Sequence, residues 1–422
     1  MLESVTLLGS SSGRNAGDAA LMSGIMDSSD EACGKRLLYE IPTIKPDFVS
    51  KTYKNQVKPV SMLPWHLSIK MLGLPTYRSI MRTDLSVIFD AILFDRALYN
   101  PLFNFLSTLH YMLPKAKARG AKLAYFNVGI GPIDTTRGKE MLLELSEIMD
   151  FMTVRDRDSY DILKDIGVKN PRLLESADAA LIVKPSDDDR VNQIIKKLDL
   201  QNADEILAIN VNSYINTWAR PKTAIITKDK FVDTYTKALL KVTEDLKVPL
   251  LFVSTQHQDL SITRAIQEKV AAAGRKTALF SNTEYNHFEI KGVLGRASML
   301  FGMRLHSMIL GSSNLTPIIG LAYQPKIDHY YTTAGIRDFS MSFSNFSEES
   351  LYKHIMHGWE NKALIKGQLE KRIPQLQEKA RYAARLVQAL RNDENLDEVI
   401  AGFSKTKEET PQQIVANQAS QA

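Results

Sequence analysis

The segment Gly302-Met303-Arg304-Leu305-His306-Ser307 sets a permanent cation and a proton-carrying imidazole two residues apart. Ser298–Gly302 reads as a short buried strand, and Ser307–Ser313 as the first turns of a small-residue helix. Unpaired N–H groups at a helix start attract negative charge. An arginine in the same turn adds a planar fork that matches phosphate or carboxylate. The chain has eight histidines, so His306 alone says little, and its pairing with Arg304 is what carries information. Lys326, after the apolar run Pro317–Ala322, returns to the same sheet edge. Together these residues predict an anion site with a proton carrier beside it.

Two further segments could do related chemistry. In Gly9-Ser10-Ser11-Ser12-Gly13-Arg14-Asn15-Ala16-Gly17-Asp18, glycines between a first strand and a first helix let backbone approach a ligand closely. The spacing is neither that of a phosphate-binding P-loop nor that of a dinucleotide fingerprint. Asn15, Gly17 and Asp18 are candidates for an acceptor site, and the plainer reading is that Asn15 or Asp18 caps the helix. In Thr153-Val154-Arg155-Asp156-Arg157-Asp158-Ser159, Arg155 ends a strand, and Asp158 or Ser159 is expected to cap the next helix. A surface ion pair of Arg155 with Asp156 or Asp158 would contribute little. His257 and Asp259 follow a strand ending at Ser254, where contacts to sugar hydroxyls are expected. No second His, Cys or carboxylate stands at ligand spacing from His306, so no metal is expected there; no cofactor is expected either.

The elements that position these residues alternate. Apolar strands are expected at Val5–Gly9, Leu85–Leu93, Lys122–Val128 and Phe151–Val154, with helices at Met141–Met149 and Asp158–Ile166. Ala179–Val183 closes this half. The second half repeats the pattern: strands at Ile206–Val211, Pro249–Ser254, Ala278–Phe280 and Pro317–Ala322, with helices at Asp229–Leu246 and Leu260–Ala273. Such alternation predicts an α/β fold of two Rossmann-like domains facing a cleft, with ligands outside the carboxyl ends of parallel strands. The expected divisions are 1–184 (acceptor side), 185–345 (donor side), C-terminal helices over 346–403 packing on the body, and a disordered tail over 404–422. Leu369, Ile373, Leu376, Ala380, Ala383, Val387 and Leu390 make one helical apolar stripe, which Pro374 should kink or restart.

Composition bounds the rest. The 422 residues are 44% hydrophobic and 24% charged, ordinary for a globular protein of two domains. A formal charge of +5, with no basic stripe, argues against a nucleic-acid partner. Cys33 is the single cysteine, so no internal disulfide forms and a reducing, cytoplasmic setting is expected. No apolar run reaches the ~18 residues of a membrane span. Leu98–Leu113 is apolar and aromatic and is followed by Lys115, Lys117 and Arg119. It reads as a buried helix or as a peripheral contact with the inner face of a membrane.

Taken in order, four motifs resemble the polysaccharide pyruvyl transferase family. They are Asn15-Ala16-Gly17-Asp18-Ala19; Val154-Arg155-Asp156 with Ser159 and Leu163–Gly167; Asp178-Ala179-Ala180; and Gly302–His306 through Pro317 to Tyr323 and Lys326. The likeness spans about residues 5 to 330. It departs at Asp90–Arg96, where the family's glycine-rich turn has no glycine here. The resemblance implies a GT-B-like fold and transfer of a pyruvyl group from phosphoenolpyruvate to a sugar, giving a cyclic ketal and phosphate. It also implies an acceptor that is a cell-surface glycan precursor, often lipid-linked. Arg155, Arg304, Leu305 and His306 match its donor positions, with Lys326 beside them. In that setting His306 is the expected acid, Asp18 a base and Arg304 the stabiliser of the leaving phosphate. Two alternatives stay open: a GT-B glycosyltransferase using a nucleotide sugar, and a non-catalytic glycan-binding relative. Homo-oligomerisation also stays open.

Overall fold

The computed structural model describes residues 2–62, 73–95, 105–213 and 226–403. Its strands are mostly short apolar runs buried on both faces, the pattern of parallel sheets covered by helices. In chain order they are β1 (Ser4–Leu8), β2 (Leu38–Thr43), β3 (Gln56–Ser61), β4 (Leu85–Ile88), β5 (Leu93–Asp95), β6 (Lys122–Val128), β7 (Ile130–Ile133), β8 (Phe151–Val154) and β9 (Leu173–Glu175). There follow β10 (Leu207–Asn210), β11 (Leu250–Ser254), β12 (Thr277–Ser281), β13 (Met299–Gly302), β14 (Ile318–Ala322) and β15 (Ser340–Ser342).

The chain divides into two compact units. Among the described residues the first comprises 2–13, 18–183 and 376–403. Its seven-stranded sheet runs β3-β2-β1-β4-β6-β8-β9, with every neighbouring pair parallel. The second comprises Arg14–Gly17 and Lys184–Gln375. Its six-stranded parallel sheet runs β12-β11-β10-β13-β14-β15. Both orders begin 3-2-1-4 and continue outward, the doubly wound Rossmann pattern. The strand order reverses between β1 and β4 in one sheet and between β10 and β13 in the other. Loops diverge at these points and leave a crevice at the carboxyl ends.

Several expectations need adjusting. The strand expected over Leu85–Leu93 is two strands, because Asp90 takes φ 66° and turns the chain. Left-handed backbone is usually glycine's; here a short polar side chain occupies it. The Asp90 carbonyl accepts from Gly129 N at 3.2 Å, tying this turn to the loop after β6. β5 then pairs with β7 in a small separate ribbon. The helix Lys362–Ala380 runs through Pro374, and the break comes at Arg381. Ala179–Ile182 is a 3₁₀ turn capped by Asp178. Of the apolar region Leu98–Leu113, residues 98–104 lie outside the described residues, as does the 404–422 tail. The described part belongs to the helix Phe105–Lys117, which buries Leu106, Leu109, Met112, Leu113 and Ala116 and leaves Tyr111 64% exposed. Among the described residues no helix is long and apolar enough to cross a membrane.

Candidate functional site

Arg304 and His306 stand at the switch point of the second sheet, directly after β13. The helix here is Leu305–Ser312, two residues earlier than the small-residue pattern suggests. Arg304 is therefore its N-cap and His306 lies in its first turn. The early start follows from side chains that fix the turn. Ser307 Oγ donates to the Arg304 carbonyl at 2.7 Å and lies 2.8 Å from Asn210 Oδ1, to which it also donates. The same Asn210 oxygen accepts from Arg304 N at 3.0 Å, and Asn210 Nδ2 donates to the Val253 carbonyl at 2.9 Å. Asn210, fully buried, thus ties the ends of β10, β11 and β13 together.

The Arg304 guanidinium is held just as firmly. Its Nε and Nη2 donate to Asp259 Oδ2 and Oδ1 at 2.7 and 2.8 Å, a bidentate fork. Asp259's side chain is wholly buried and that of Arg304 is 16% exposed. Asp259 also accepts from Ser213 N and Oγ at 2.9 and 2.7 Å. The Tyr323 hydroxyl belongs to the same cluster. Burial pushes its pKa up, while the neighbouring Arg304 guanidinium works in the opposite direction. Lys326 is exposed in the first turn of the helix Pro325–Thr333, after β14. A cation there is unfavourable with respect to the helix dipole unless an anion comes between.

Asn15 and Gly17 join this unit rather than the first, because their backbone pairs with the end of β11. Asn15 forms an antiparallel bridge with Gln256, and Ala16 N donates to the Thr255 carbonyl at 2.8 Å. His257 N donates to the Arg14 carbonyl at 2.9 Å, with the His257 side chain exposed. Asn15 Oδ1 accepts from Gly17 N at 2.9 Å and so caps the helix Ala16–Cys33. The absence of a side chain at Gly17 leaves its Cα against the His306 ring. Asn15, Gly17, His257, Asp259, Arg304, Leu305 and His306 therefore cluster at the carboxyl edge of one sheet. Asp18, half-buried in the first turn of the Ala16–Cys33 helix, counts with the first unit.

Arg155 lies at the carboxyl edge of the first sheet, after β8, and its side chain is only 6% exposed. The expected surface ion pair is instead a buried one: Nη1 donates to Asp178 Oδ2 at 3.2 Å, with Asp156 3.5 Å from Nε. Burial works against the cation, but the carboxylates of Asp178, Asp156 and Asp90 outweigh it and raise its pKa. Asp156, not Asp158 or Ser159, caps the helix Arg157–Asp165, accepting from Ser159 N at 2.8 Å and Ser159 Oγ at 2.6 Å. Gly129 gives Arg155 its room, since a Cβ there would stand 2.6 Å from Nη2.

Sequence reasoning missed Asn210 and Ser213, and named Tyr323 only as part of a motif. Asn210 ends a strand of otherwise apolar residues, Leu207-Ala208-Ile209, and that lone polar residue at a strand terminus was the available signal. Among the described residues no group of three His, Cys, Asp or Glu side chains is placed to hold a metal ion.

The chain is similar in fold to UDP-GlcNAc 2-epimerase from Neisseria meningitidis bound to UDP-GlcNAc, at 9% identity and TM-score 0.61, covering 93% of this chain and 100% of that one. It is similarly related to S. aureus MnaA in a co-structure with UDP, at 10% identity and TM-score 0.62, covering 93% and 97%. Anabaena HepE in complex with UDP and glucose matches at 9% identity and TM-score 0.52, covering 99% and 100%. At such identities the likeness speaks for the fold, α/β with two Rossmann-like domains of the GT-B-like kind. None of the curated proteins matches the chain in sequence. The family model described as polysaccharide pyruvyl transferase matches residues 15–325, a span that begins at the Asn15 cap and ends just past Tyr323, and the chain belongs to that family.

Proposed function

We propose that the protein transfers a pyruvyl group from phosphoenolpyruvate to two hydroxyls of one sugar in a cell-surface polysaccharide or its precursor, forming a cyclic ketal and releasing phosphate. The observation that carries this reading is the Arg304 fork, locked by Asp259 beside the first turn that holds His306. Phosphoenolpyruvate carries a phosphate and a carboxylate close together, so it calls for fixed cations. A hydrogen bond to a charged group contributes about 1.5–3 kcal/mol, against about 0.3–1 kcal/mol from a helix end alone. Arg304 therefore supplies most of the anion binding in the second unit, with Leu305 and His306 contributing the helix start and Lys326 added charge. Arg155, in the first unit, matches a donor position of the family and is proposed as a donor contact.

In the chemistry we assign, His306 gives a proton to the donor's methylene carbon, and the C=C electron pair forms the new C–H bond. The adjacent carbon becomes oxocarbenium-like. A sugar hydroxyl attacks that carbon and loses its proton to a base, for which Asp18 is the candidate. A second hydroxyl of the same sugar then displaces phosphate from the same carbon, its proton leaving with the phosphate. Arg304 stabilises the charge on the departing oxygen. Neither a metal nor a cofactor enters these steps. Asn15, Gly17 and the exposed His257 border the acceptor. We place the reaction in the cytoplasm. The Tyr111 face of the helix Phe105–Lys117, where Lys115 Nζ sits 3.4 Å over the Tyr111 ring, is the proposed contact with the inner membrane face.

The test is phosphate release from phosphoenolpyruvate across free and lipid-linked saccharides, with the ketal methyl followed by NMR. Acceptor-dependent release with a new methyl signal is expected. Thermal stabilisation by nucleotide sugars and not by phosphoenolpyruvate would replace the donor. Saccharide binding without phosphate release would leave a glycan-binding protein.

A further inference from the structure

We propose that Asp259 is not an acceptor contact but the positioning residue of the anion site, holding the Arg304 fork in the one orientation that can meet the donor. The proposal rests on the donor reading above for its kinetic consequence and on geometry alone for its structural part. An ionised carboxylate has about four lone-pair sites. Asp259 accepts four hydrogen bonds, three of them crowded on one oxygen: Ser213 N, Ser213 Oγ and Arg304 Nη2 on Oδ1, and Arg304 Nε on Oδ2. Its side chain has no exposed surface. One lone pair of Oδ2 is left, but burial leaves a sugar hydroxyl no access to it.

What the carboxylate does instead follows from the flexibility of arginine. A long side chain binds anions well only if its rotamers are fixed before the ligand arrives. Asp259 fixes the Nε–Nη2 edge, and Asn210 fixes the Arg304 backbone N–H. Ser213 pins the carboxylate itself from the end of the β10 strand. Asn210 and Ser213 come from the end of β10 and Asp259 from the loop after β11, so two neighbouring strand ends of one sheet edge hold the Arg304 backbone and its guanidinium. Asp259 also offsets the charge of Arg304 in the empty site, which keeps a buried cation tolerable when no anion is bound.

The experiment uses full-length protein labelled with [15N]arginine. In the ligand-free wild type, the Arg304 Nε–H resonance, assigned by its absence in Arg304→Lys, should be shifted and slow to exchange. In Asp259→Asn it should move to the position of the exposed arginines, and in Ser213→Ala it should move part of the way. Kinetically, Asp259→Asn should lower kcat/KM for the donor on the order of 10–100-fold. The double variant Arg304→Lys/Asp259→Asn should match Arg304→Lys alone within about 2-fold, because the residue acts only through Arg304. An unmoved resonance in both single variants, or losses that multiply in the double variant, overturns the proposal. Should Asp259→Asn fail to fold, Ser213→Ala decides by the same resonance. If the wild type does not turn over phosphoenolpyruvate at all, the donor reading fails while the resonance still decides the role of Asp259.

Discussion

A Cβ added at Gly17 would stand 2.1 Å from Nδ1 and 2.2 Å from Cγ of His306. The glycine is therefore there for space, and the space belongs to the imidazole. Gly17 lies in the first turn of the helix Ala16–Cys33, where alanine would ordinarily stabilise by about 0.5–1 kcal/mol. Gly17→Ala should separate fold from chemistry. We expect a modestly lowered melting temperature, since overpacking against the root of the His306 side chain costs about 1–3 kcal/mol against that gain, and acceptor-dependent phosphate release reduced about 100-fold, as displacement of a reacting group by an ångström can do. Full activity in this variant would show that the ring's position is immaterial.

His306 itself should govern the proton step and not donor affinity. A positioned acid accelerates by about 10²–10⁴-fold. His306→Ala should lose turnover in that range in a phosphate-release assay, while calorimetric binding of phosphoenolpyruvate stays within a few-fold of wild type. Near-normal turnover would remove His306 from the acid role.

The architecture was legible because its strands are local signals. Apolar runs such as Leu250–Ser254 and Lys122–Val128 announce themselves, and their alternation with helices leads to the parallel order found in both sheets. β3 was not legible: Gln56-Val57-Lys58-Pro59-Val60-Ser61 is a polar edge strand, and edges are where proline and lysine are tolerated. In the candidate site, residue types were legible and partnerships were not. Arg304 meets a carboxylate 45 residues earlier, and its backbone meets Asn210, 94 residues earlier. Spacing in sequence carries no trace of such pairs. Even the local helix cap, Asp156 where Asp158 or Ser159 was expected, turned on a shift of two or three residues, which composition cannot fix.

Arg155 offers a test in the first unit. Its removal would leave the buried Asp178 carboxylate unpaired, so Arg155→Ala should cost about 3–5 kcal/mol of stability and confuse the result. Arg155→Lys keeps the charge and loses the fork. We expect a folded protein whose dissociation constant for phosphoenolpyruvate rises about 10-fold. Gly129→Ala should act in the same direction, since its Cβ would reach 2.6 Å from Nη2 and 2.7 Å from Nε of Arg155. Titration calorimetry decides, and an unchanged donor dissociation constant in both variants would remove Arg155 from the donor site.

Stability should fall on mild acidification because of two histidines remote from any proposed chemistry. Burial lowers the pKa of His287 from 6.5 to about 3 and that of His354 from 6.5 to about 4. Below about pH 6.5 the unfolded chain takes up protons at both rings while the folded protein does not. Each ring then withdraws about 1.4 kcal/mol of stability per pH unit, until the pH reaches its folded value. Carboxylates do not blur this window. Burial works against the Glu40 anion, but hydrogen bonds from Arg82, Ser79 and Lys58 outweigh it and hold its pKa below 4.5. Its stabilisation is therefore lost only at still lower pH. Urea unfolding at pH 7, 6 and 5 should show the free energy dropping below pH 6.5 at constant m-value, and His287→Leu should remove about half of the slope. A flat profile from pH 7 to 5 in the wild type would mean that both rings accept protons in the folded protein.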